Sequence, residues 1–162
     1  MVSVMEELAS ENSITNTSNC IKIDIVTPEQ LVFSDFIDYV SIPGIDGELG
    51  ILPQHCPLMT MLKAGELRIK KGNDEISIAV GGGFLEVKPD RIIVLADLAE
   101  RDEFIDEQKV KEAIERAKQA SSDMQASLED KAAIEASLRF EIARLKVAEK
   151  KRKKKKTLIQ IE

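Results

Sequence analysis

The sequence has few of the residues that catalytic, metal-binding or membrane-spanning proteins depend on. Its 162 residues include one histidine and two cysteines, and these cysteines, Cys20 and Cys56, form no CxxC motif. We expect both thiols to be free. No apolar run approaches the roughly 18 residues of a membrane span. An aromatic content of 4% with no tryptophan predicts an aliphatic core.

The lone histidine, His55, lies between Pro53 and Pro57. No nucleophile or base is patterned beside it, so a structural or interface role is favoured over catalysis. The sequence contains neither a Walker-type glycine loop nor a Ser–His–Asp set. The triple glycine Gly81–Gly83 lies between two predicted strands, where a tight bend or bulge is favoured over a phosphate-binding loop. We therefore predict that the protein is not an enzyme and carries no metal.

Charge is distributed unevenly along the chain. Lys150–Lys156 is a run of seven cations that gives residues 150–162 a net charge of +6. The net charge of the whole chain is −6, so residues 1–149 have a net charge of −12. A basic tail on an acidic body argues against nucleic-acid binding, which needs basic residues over a face of the fold. Such a tail is a solvated charge run or an attachment point for anionic lipid. Residues 1–19 hold three glutamates and no Lys or Arg, and predict a disordered extension that is neither a secretory signal nor a transit peptide.

Apolar and polar residues alternate between about residues 20 and 103, as in Ile21, Ile23 and Ile25. Turn residues recur there every eight to twelve positions. This pattern is typical of short strands with one buried face. Residues 20–103 are therefore predicted to form an antiparallel β-sandwich domain.

Glycine and proline are absent after Arg101, where Ala, Glu, Lys, Gln and Leu dominate. These residues are mostly good helix formers. Asp106 is suited to cap a first helix, and Ser121–Met124 indicates a turn before a second one. Residues 104–149 are predicted to form an antiparallel α-helical hairpin, followed by the basic tail 150–162. An alanine-rich seam buries little apolar area, so we expect the hairpin to be able to open.

Three segments together carry a family signature. They are GELGILPQHCPLMTMLKAGELRI (Gly47–Ile69), VGGGFLEV (Val80–Val87) and IIVLADLAER (Ile92–Arg101). In residue identity, order and spacing they resemble the bacterial epsilon subunit of F-type ATP synthase, over about residues 21–148. The resemblance implies a non-catalytic, peripheral subunit of the central stalk at the cytoplasmic face of the cell membrane.

The resemblance also implies partners and a site. The sandwich would link the gamma subunit to the c-subunit ring, and membrane association would be indirect, through the complex. The residues expected to face the ring are Gly47, Glu48, Leu49, Gly50 and His55. The hairpin would inhibit ATP hydrolysis by extending toward the alpha/beta catalytic head, and the basic tail would be drawn to acidic segments of the beta subunits.

Several bacterial members of this family bind a regulatory ATP on the hairpin. The candidate nucleotide-binding residues here are Ile105, Asp106, Lys109, Arg116 and Arg144. Lys109 stands where arginine is usual, Val110 replaces a small alanine and Phe140 takes the place of a further arginine. Lysine offers a point charge rather than a two-pronged donor, so the resemblance implies weak ATP binding. The alternative interpretation of these residues is a solvated helix face.

Two other functions remain open from the sequence. One is a stand-alone ATP-sensing module, in which a helical clamp on a β-sandwich binds nucleotide without any stalk role. The other is an adaptor that binds lipid or another polyanion through Lys150–Lys156. Titration with ATP tests the first, and deletion of the basic run tests the second.

Overall fold

The computed structural model describes residues 20–121 and 128–159, so the predicted extension 1–19 and the predicted turn after Ser121 lie outside it. The described residues form eight strands followed by two helices. The strands are β1 (Ile21–Val26), β2 (Leu31–Ile37), β3 (Tyr39–Gly44), β4 (Gly47–Ile51), β5 (Leu58–Lys71), β6 (Asp74–Val87), β7 (Arg91–Ala96) and β8 (Ala99–Arg101). The helices are α1 (Glu107–Ser121) and α2 (Leu128–Ile159). The predicted fold class, a β-sandwich followed by two helices, is confirmed.

The strands pair in the order β2-β1-β7-β6-β5-β3-β4, with β8 on β6. Because β6 pairs with β8 through Ile78–Val80 and with β7 through Gly83–Val87, the sheet folds over on itself. Side chains of β1 to β7 fill the space between the layers, and Phe33 is the one aromatic residue among the buried members of this core. The core is therefore aliphatic, as the composition predicts.

The pairing of β1 departs from the expected antiparallel pattern. β1 is antiparallel to β2 but parallel to β7, with Ile23 opposite Ile92 and Ile25 opposite Val94. Alternation in the sequence fixes the face on which each side chain lies, and β1 does bury its three isoleucines. It carries no information on the direction of the neighbouring strand.

The triple glycine is a bend in β6. Gly82 and Gly83 have φ angles of +121° and +124°, which L side chains rarely adopt. A Cβ at Gly83 would lie 2.1 Å from the carbonyl oxygen of Leu95 in β7. A Cβ at Gly81 would lie 3.2 Å from the Phe140 ring of α2. The predicted bend is therefore confirmed, and the first glycine makes room for the second helix.

Asp106 caps α1, because its Oδ1 accepts hydrogen bonds from the backbone N–H of Gln108 at 3.0 Å and of Lys109 at 3.3 Å. At the same end of the hairpin, Arg152 Nη1 of α2 lies 3.4 Å from Glu107 Oε1. This contact joins the last turns of α2 to the first turn of α1, so the two helices are antiparallel.

The basic run is part of α2 and not a separate tail. The helix continues to Ile159, ten residues beyond the predicted boundary at residue 149. Lysine and arginine are good helix formers, and cations are favourable at a helix C-terminus. Over the residues that the structure describes, neither helix has an apolar stretch long enough to cross a membrane.

One face of α2 lies on the outer surface of β5 and β6. Phe140 and Val147 are buried there against Ala79 of β6, and Ile105 packs beside them. Ala143 and Ala148 are also buried on this helix. Two alanines therefore accompany Phe140 and Val147 on the buried face of α2.

Candidate interaction site

The β3–β4 hairpin carries the best-defined charged group of the predicted ring-facing loop. The Glu48 carboxylate accepts a hydrogen bond from the Ser41 hydroxyl and forms an ion pair with Arg68. Arg68 Nη2 also donates to Ser41 Oγ at 3.2 Å, so Ser41, Glu48 and Arg68 form one hydrogen-bonded network. Ser41 and then Arg68 hold the pKa of Glu48 below its ordinary value of 4.5. The carboxylate is therefore charged and fixed in direction.

The other residues of this hairpin shape it. Leu49 lies opposite Ile42 and packs against the core of the sandwich. Gly50 lies opposite Ser41, and a Cβ there would come within 2.9 Å of the Tyr39 hydroxyl. Of the strand residues predicted to face the c ring, Glu48 is thus the one that presents a charge to solvent.

His55 lies at the far end of β4, in a turn fixed by the backbone. The His55 N–H donates to the Leu52 carbonyl at 3.2 Å, and the Gln54 N–H donates to the Pro89 carbonyl at 3.0 Å. His55 Nδ1 is 2.7 Å from the carbonyl oxygen of Cys56, whose thiol is free, as is that of Cys20. The Gln54 contact places the turn that contains His55 beside the β6–β7 turn.

Glu48 faces a hollow of about 570 Å³ between the sandwich and α2. The charged residues that line it are Glu48, Lys63, Glu66, Arg68, Arg139 and Lys146. The residues predicted to face the c ring therefore lie in two places. Glu48 faces α2, whereas His55 lies at the β6–β7 end of the sandwich. This proximity of Glu48 to α2 was not expected from the sequence.

The predicted nucleotide-binding residues are dispersed over the hairpin. Asp106 is committed to the cap of α1, and the Lys109 side chain is 82% exposed, with its Nζ 4.0 Å from Asp106 Oδ2. Ile105 packs against the cluster of Phe140. Arg116 lines a shallow hollow on the outside of α1.

Arg144 lies in a different hollow, of about 600 Å³, between the β8 region and α2. Its Nε is 2.6 Å from Glu100 Oε2 without the alignment of a hydrogen bond, and its Nη1 is 2.8 Å from Glu141 Oε2. The guanidinium also lies 5.8 Å from the centre of the Phe140 ring. Arg144 and Arg116 therefore line separate hollows, and two carboxylates already neutralise Arg144.

Sequence reasoning missed an exposed apolar row across the sandwich. Met61, Phe84 and Leu95 are direct neighbours on β5, β6 and β7, and each is more than half exposed. Ile45 continues the row, because its N–H bonds to the carbonyl of Met61. The signal was available in the alternation: Leu85 is buried, so its neighbour Phe84 points outward.

Residues 20–102 match the family model of the ATP synthase Delta/Epsilon chain, beta-sandwich domain. The chain is 55% identical over 133 residues to the ATP synthase epsilon chain of Dehalococcoides mccartyi strain CBDB1, an alignment that covers 82% of this chain and 95% of the relative. This chain belongs to the ATP synthase epsilon chain family. The epsilon chain of Desulforamulus reducens is 50% identical over 128 residues, 79% of this chain and 96% of that one. The family expected from the three sequence segments is confirmed, and the chain is an accessory subunit of an ATP synthase.

Two solved ATP synthases contain chains with the same fold. One is the Euglena gracilis mitochondrial enzyme, in its OSCP/F1/c-ring assembly, with a TM-score of 0.65 at 22% identity over 76% of this chain and 78% of that chain. The other is the central stalk/c-ring of the Tetrahymena thermophila mitochondrial enzyme, with a TM-score of 0.52 at 16% identity over 79% of this chain and 96% of that chain. At these identities the likeness shows that epsilon chains and these subunits share an architecture.

Proposed function

We propose that this epsilon-family chain is a non-catalytic rotor subunit that joins the gamma subunit to the c-subunit ring at the cytoplasmic face of the cell membrane. The Tetrahymena neighbour belongs to a central stalk and c-ring assembly, which supports this role. The observation that carries the proposal is the exposed row of Ile45, Met61, Phe84 and Leu95. We assign this row to the gamma subunit.

The row has the properties of a docking surface. Directly opposed residues of neighbouring strands lie about 5 Å apart, so the side chains form one continuous stripe. Contiguous apolar stripes on soluble proteins mark interaction sites, whereas scattered apolar residues do not. Phe140 and Val147 of α2 are buried against Ala79 in the first half of β6, whereas Phe84 lies in its second half. Ala136 and Arg139 of α2 line a hollow together with Ile45, Met61 and Phe84, so the docked hairpin lies beside part of the row.

Co-purification with a gamma subunit tests this assignment. We expect the wild-type chain to be recovered with a co-expressed, tagged gamma subunit and Phe84→Ser to be largely lost from it. Phe104→Ser is the matched control, because Phe104 is 69% exposed but lies in the connection between β8 and α1. Equal recovery of both variants would assign gamma to another face.

We further propose that Gly47, Glu48, Leu49, Gly50 and His55 form the side that meets the c ring. Glu48 would accept hydrogen bonds from polar groups of the ring, because Arg68 and Ser41 already orient its carboxylate. Glu48→Gln should weaken ATP-driven proton pumping in inverted vesicles while gamma binding persists. Glu29→Gln, in the exposed β1–β2 turn, is the control. Normal pumping by Glu48→Gln would remove Glu48 from the contact.

The hairpin is proposed to regulate ATP hydrolysis by leaving the sandwich and extending toward the alpha/beta catalytic head. The composition of the contact supports this role, because Phe140 and Val147 are the large apolar side chains among the buried described residues of α2. A chain that ends after Arg101 should still assemble and should raise ATP hydrolysis. Unchanged hydrolysis would show that the hairpin is not a brake in this enzyme.

A regulatory ATP on the hairpin stays a proposal of weak binding, because Arg144 is paired and Lys109 replaces an arginine. An affinity tighter than micromolar in isothermal titration would instead favour the stand-alone sensor. The adaptor alternative predicts that deletion of Lys150–Lys156 abolishes every partner contact. We expect that deletion to leave gamma binding intact, because the apolar row lies on the sandwich.

A further inference from the structure

We propose that the start of the basic run is an ionic clamp that holds α2 down on the sandwich. Lys150 Nζ lies 2.8 Å from Glu66 Oε1 of β5 and 3.1 Å from Glu75 Oε1 of β6. Ser77 Oγ also donates to Glu66 Oε1 at 2.8 Å, which orients that carboxylate. One ammonium group therefore bridges two strands of the sheet from a residue that lies 84 positions after Glu66.

Lys150 lies in a partly buried site with two carboxylate partners. The side chain is 39% exposed, which is low for a residue in a run of lysines. Partial burial alone would lower its pKa, but the carboxylates of Glu66 and Glu75 outweigh burial and raise the pKa above 10.5. The two glutamates would repel each other without a shared cation. Lys150 therefore offsets the repulsion between these two carboxylates beside α2.

The next two residues of the run make contacts in other directions. Lys151 Nζ donates to the backbone carbonyl of Asp102 at 3.1 Å, in the connection between β8 and α1. Arg152 Nη1 lies 3.4 Å from Glu107 Oε1 at the start of α1. Consecutive residues of an α-helix point about 100° apart. Three successive cations therefore hold the helix end from three sides, which fixes both its rotation and its axial position.

This arrangement gives the cations two exclusive uses. While α2 is docked, Lys150, Lys151 and Arg152 are occupied by groups of the same chain. When α2 leaves the sandwich, Lys150 loses both glutamates and becomes available to another acidic surface. Lys151 and Arg152 are released only when α2 also separates from the start of α1 and the connection before it. The clamp goes beyond the proposed docking to the gamma subunit and does not depend on it, because it concerns an equilibrium of the isolated chain.

Hydrogen exchange of the full-length chain tests the clamp. Exposed ion pairs each shift an equilibrium by up to about fivefold. We expect Lys150→Gln to speed exchange of α2 amides about threefold to fivefold at low salt, since it removes two pairs. Lys146→Gln is the matched control: Lys146 lies one turn earlier on the same face of α2 and lines the hollow beside Glu66, but it forms no ion pair within the described residues. Unchanged protection of β1 and β7 would verify that the sandwich stays folded.

A double-mutant comparison and a salt titration test whether Lys150 acts through its carboxylate partners on the sheet. Glu66→Gln keeps an acceptor for Ser77 but removes the charge, so it should mimic Lys150→Gln and add little when the two are combined. Sodium chloride should speed α2 exchange in the wild type and much less in Lys150→Gln. Equal exchange in Lys150→Gln and Lys146→Gln, or fully additive effects of Lys150→Gln and Glu66→Gln, would overturn the proposal.

Discussion

The replacement of Phe140 by alanine should release α2 while the sandwich stays folded. Phe140 is nearly buried between α2 and β6, where its ring contacts Ala79 and fits above Gly81. It is the largest side chain of this contact, since the other buried residues of α2 are Ala143, Val147 and Ala148. The apolar docking energy of the helix therefore depends on this one ring more than on any other group.

The size of the effect follows from the buried area. Full burial of a phenylalanine side chain stabilises by about 3 kcal/mol, and loss of that amount shifts an equilibrium by roughly 100-fold. The ring lies between a helix and the outside of a sheet, so this lower value suits it better than the 3–5 kcal/mol of Phe→Ala changes in central cores. Ile142→Ala on the same helix is the control, because Ile142 is already 39% exposed. It should cost less than about 1 kcal/mol.

Hydrogen exchange followed by mass spectrometry measures this release. An undocked helix is marginal in water, so its amides should exchange faster than in the docked state. In Phe140→Ala the peptides of α2 should lose protection and those of β1 and β7 should keep it. Loss of protection in β1 together with α2 would refute the reasoning, because Phe140 would then belong to the cooperative core. Equal effects of Phe140→Ala and Ile142→Ala would refute it as well.

Three further predictions concern backbone, charge and ligand. Gly83→Ala should cost at least about 3 kcal/mol in chemical denaturation, because its positive φ is joined by a clash with a β7 carbonyl, whereas Gly72→Ala, with open space around it, should cost about 1 kcal/mol. The hydrogen bond from Lys71 lowers the pKa of Asp35 from 3.8, so this pair stabilises the fold above pH 3.8 and is lost as the pH falls through the lower folded value. Thermal unfolding in acid should therefore depend less on pH in Lys71→Gln than in the wild type. Isothermal titration with ATP should give an affinity weaker than micromolar, and a tight complex would contradict the pairing of Arg144 with two carboxylates.

The sequence predicted elements whose signals are local. Alternation identified β1 and the buried side of each isoleucine in it, and Asp106 identified the start of α1. The parallel pairing of β1 with β7 was missed, because it depends on chain direction rather than on periodicity. The end of α2 was missed although its signal is local, because a run of good helix formers was interpreted as a tail. The partners of Lys150, which are Glu66 and Glu75, could not be predicted, because only the folded sheet brings them to the helix.

The candidate site shows the same difference between local signals, which the sequence supplies, and contacts between distant residues, which it does not. The segment around Glu48 was noticed for its glycines and prolines, and its ring-facing role came from the family resemblance and stays a proposal. Its partner Arg68, twenty residues further along the chain, was not predicted. The exposed row was accessible in principle, since the buried neighbours of Phe84 and Leu95 set their direction. Its continuity, however, requires the register of three strands, and a single sequence does not supply register.

The positions of Glu48 and α2 connect two functions that the sequence had separated. From the sequence, the loop of Glu48 belonged to assembly and the hairpin to regulation. In the fold, Glu48 lines the same hollow as Arg139 and Lys146 of α2, and Lys150 contributes to the low pKa of Glu48. Departure of α2 would remove these cations and leave Arg68 as the main positive neighbour of Glu48. The surroundings of the carboxylate proposed to meet the c ring are therefore less positive when the hairpin is released.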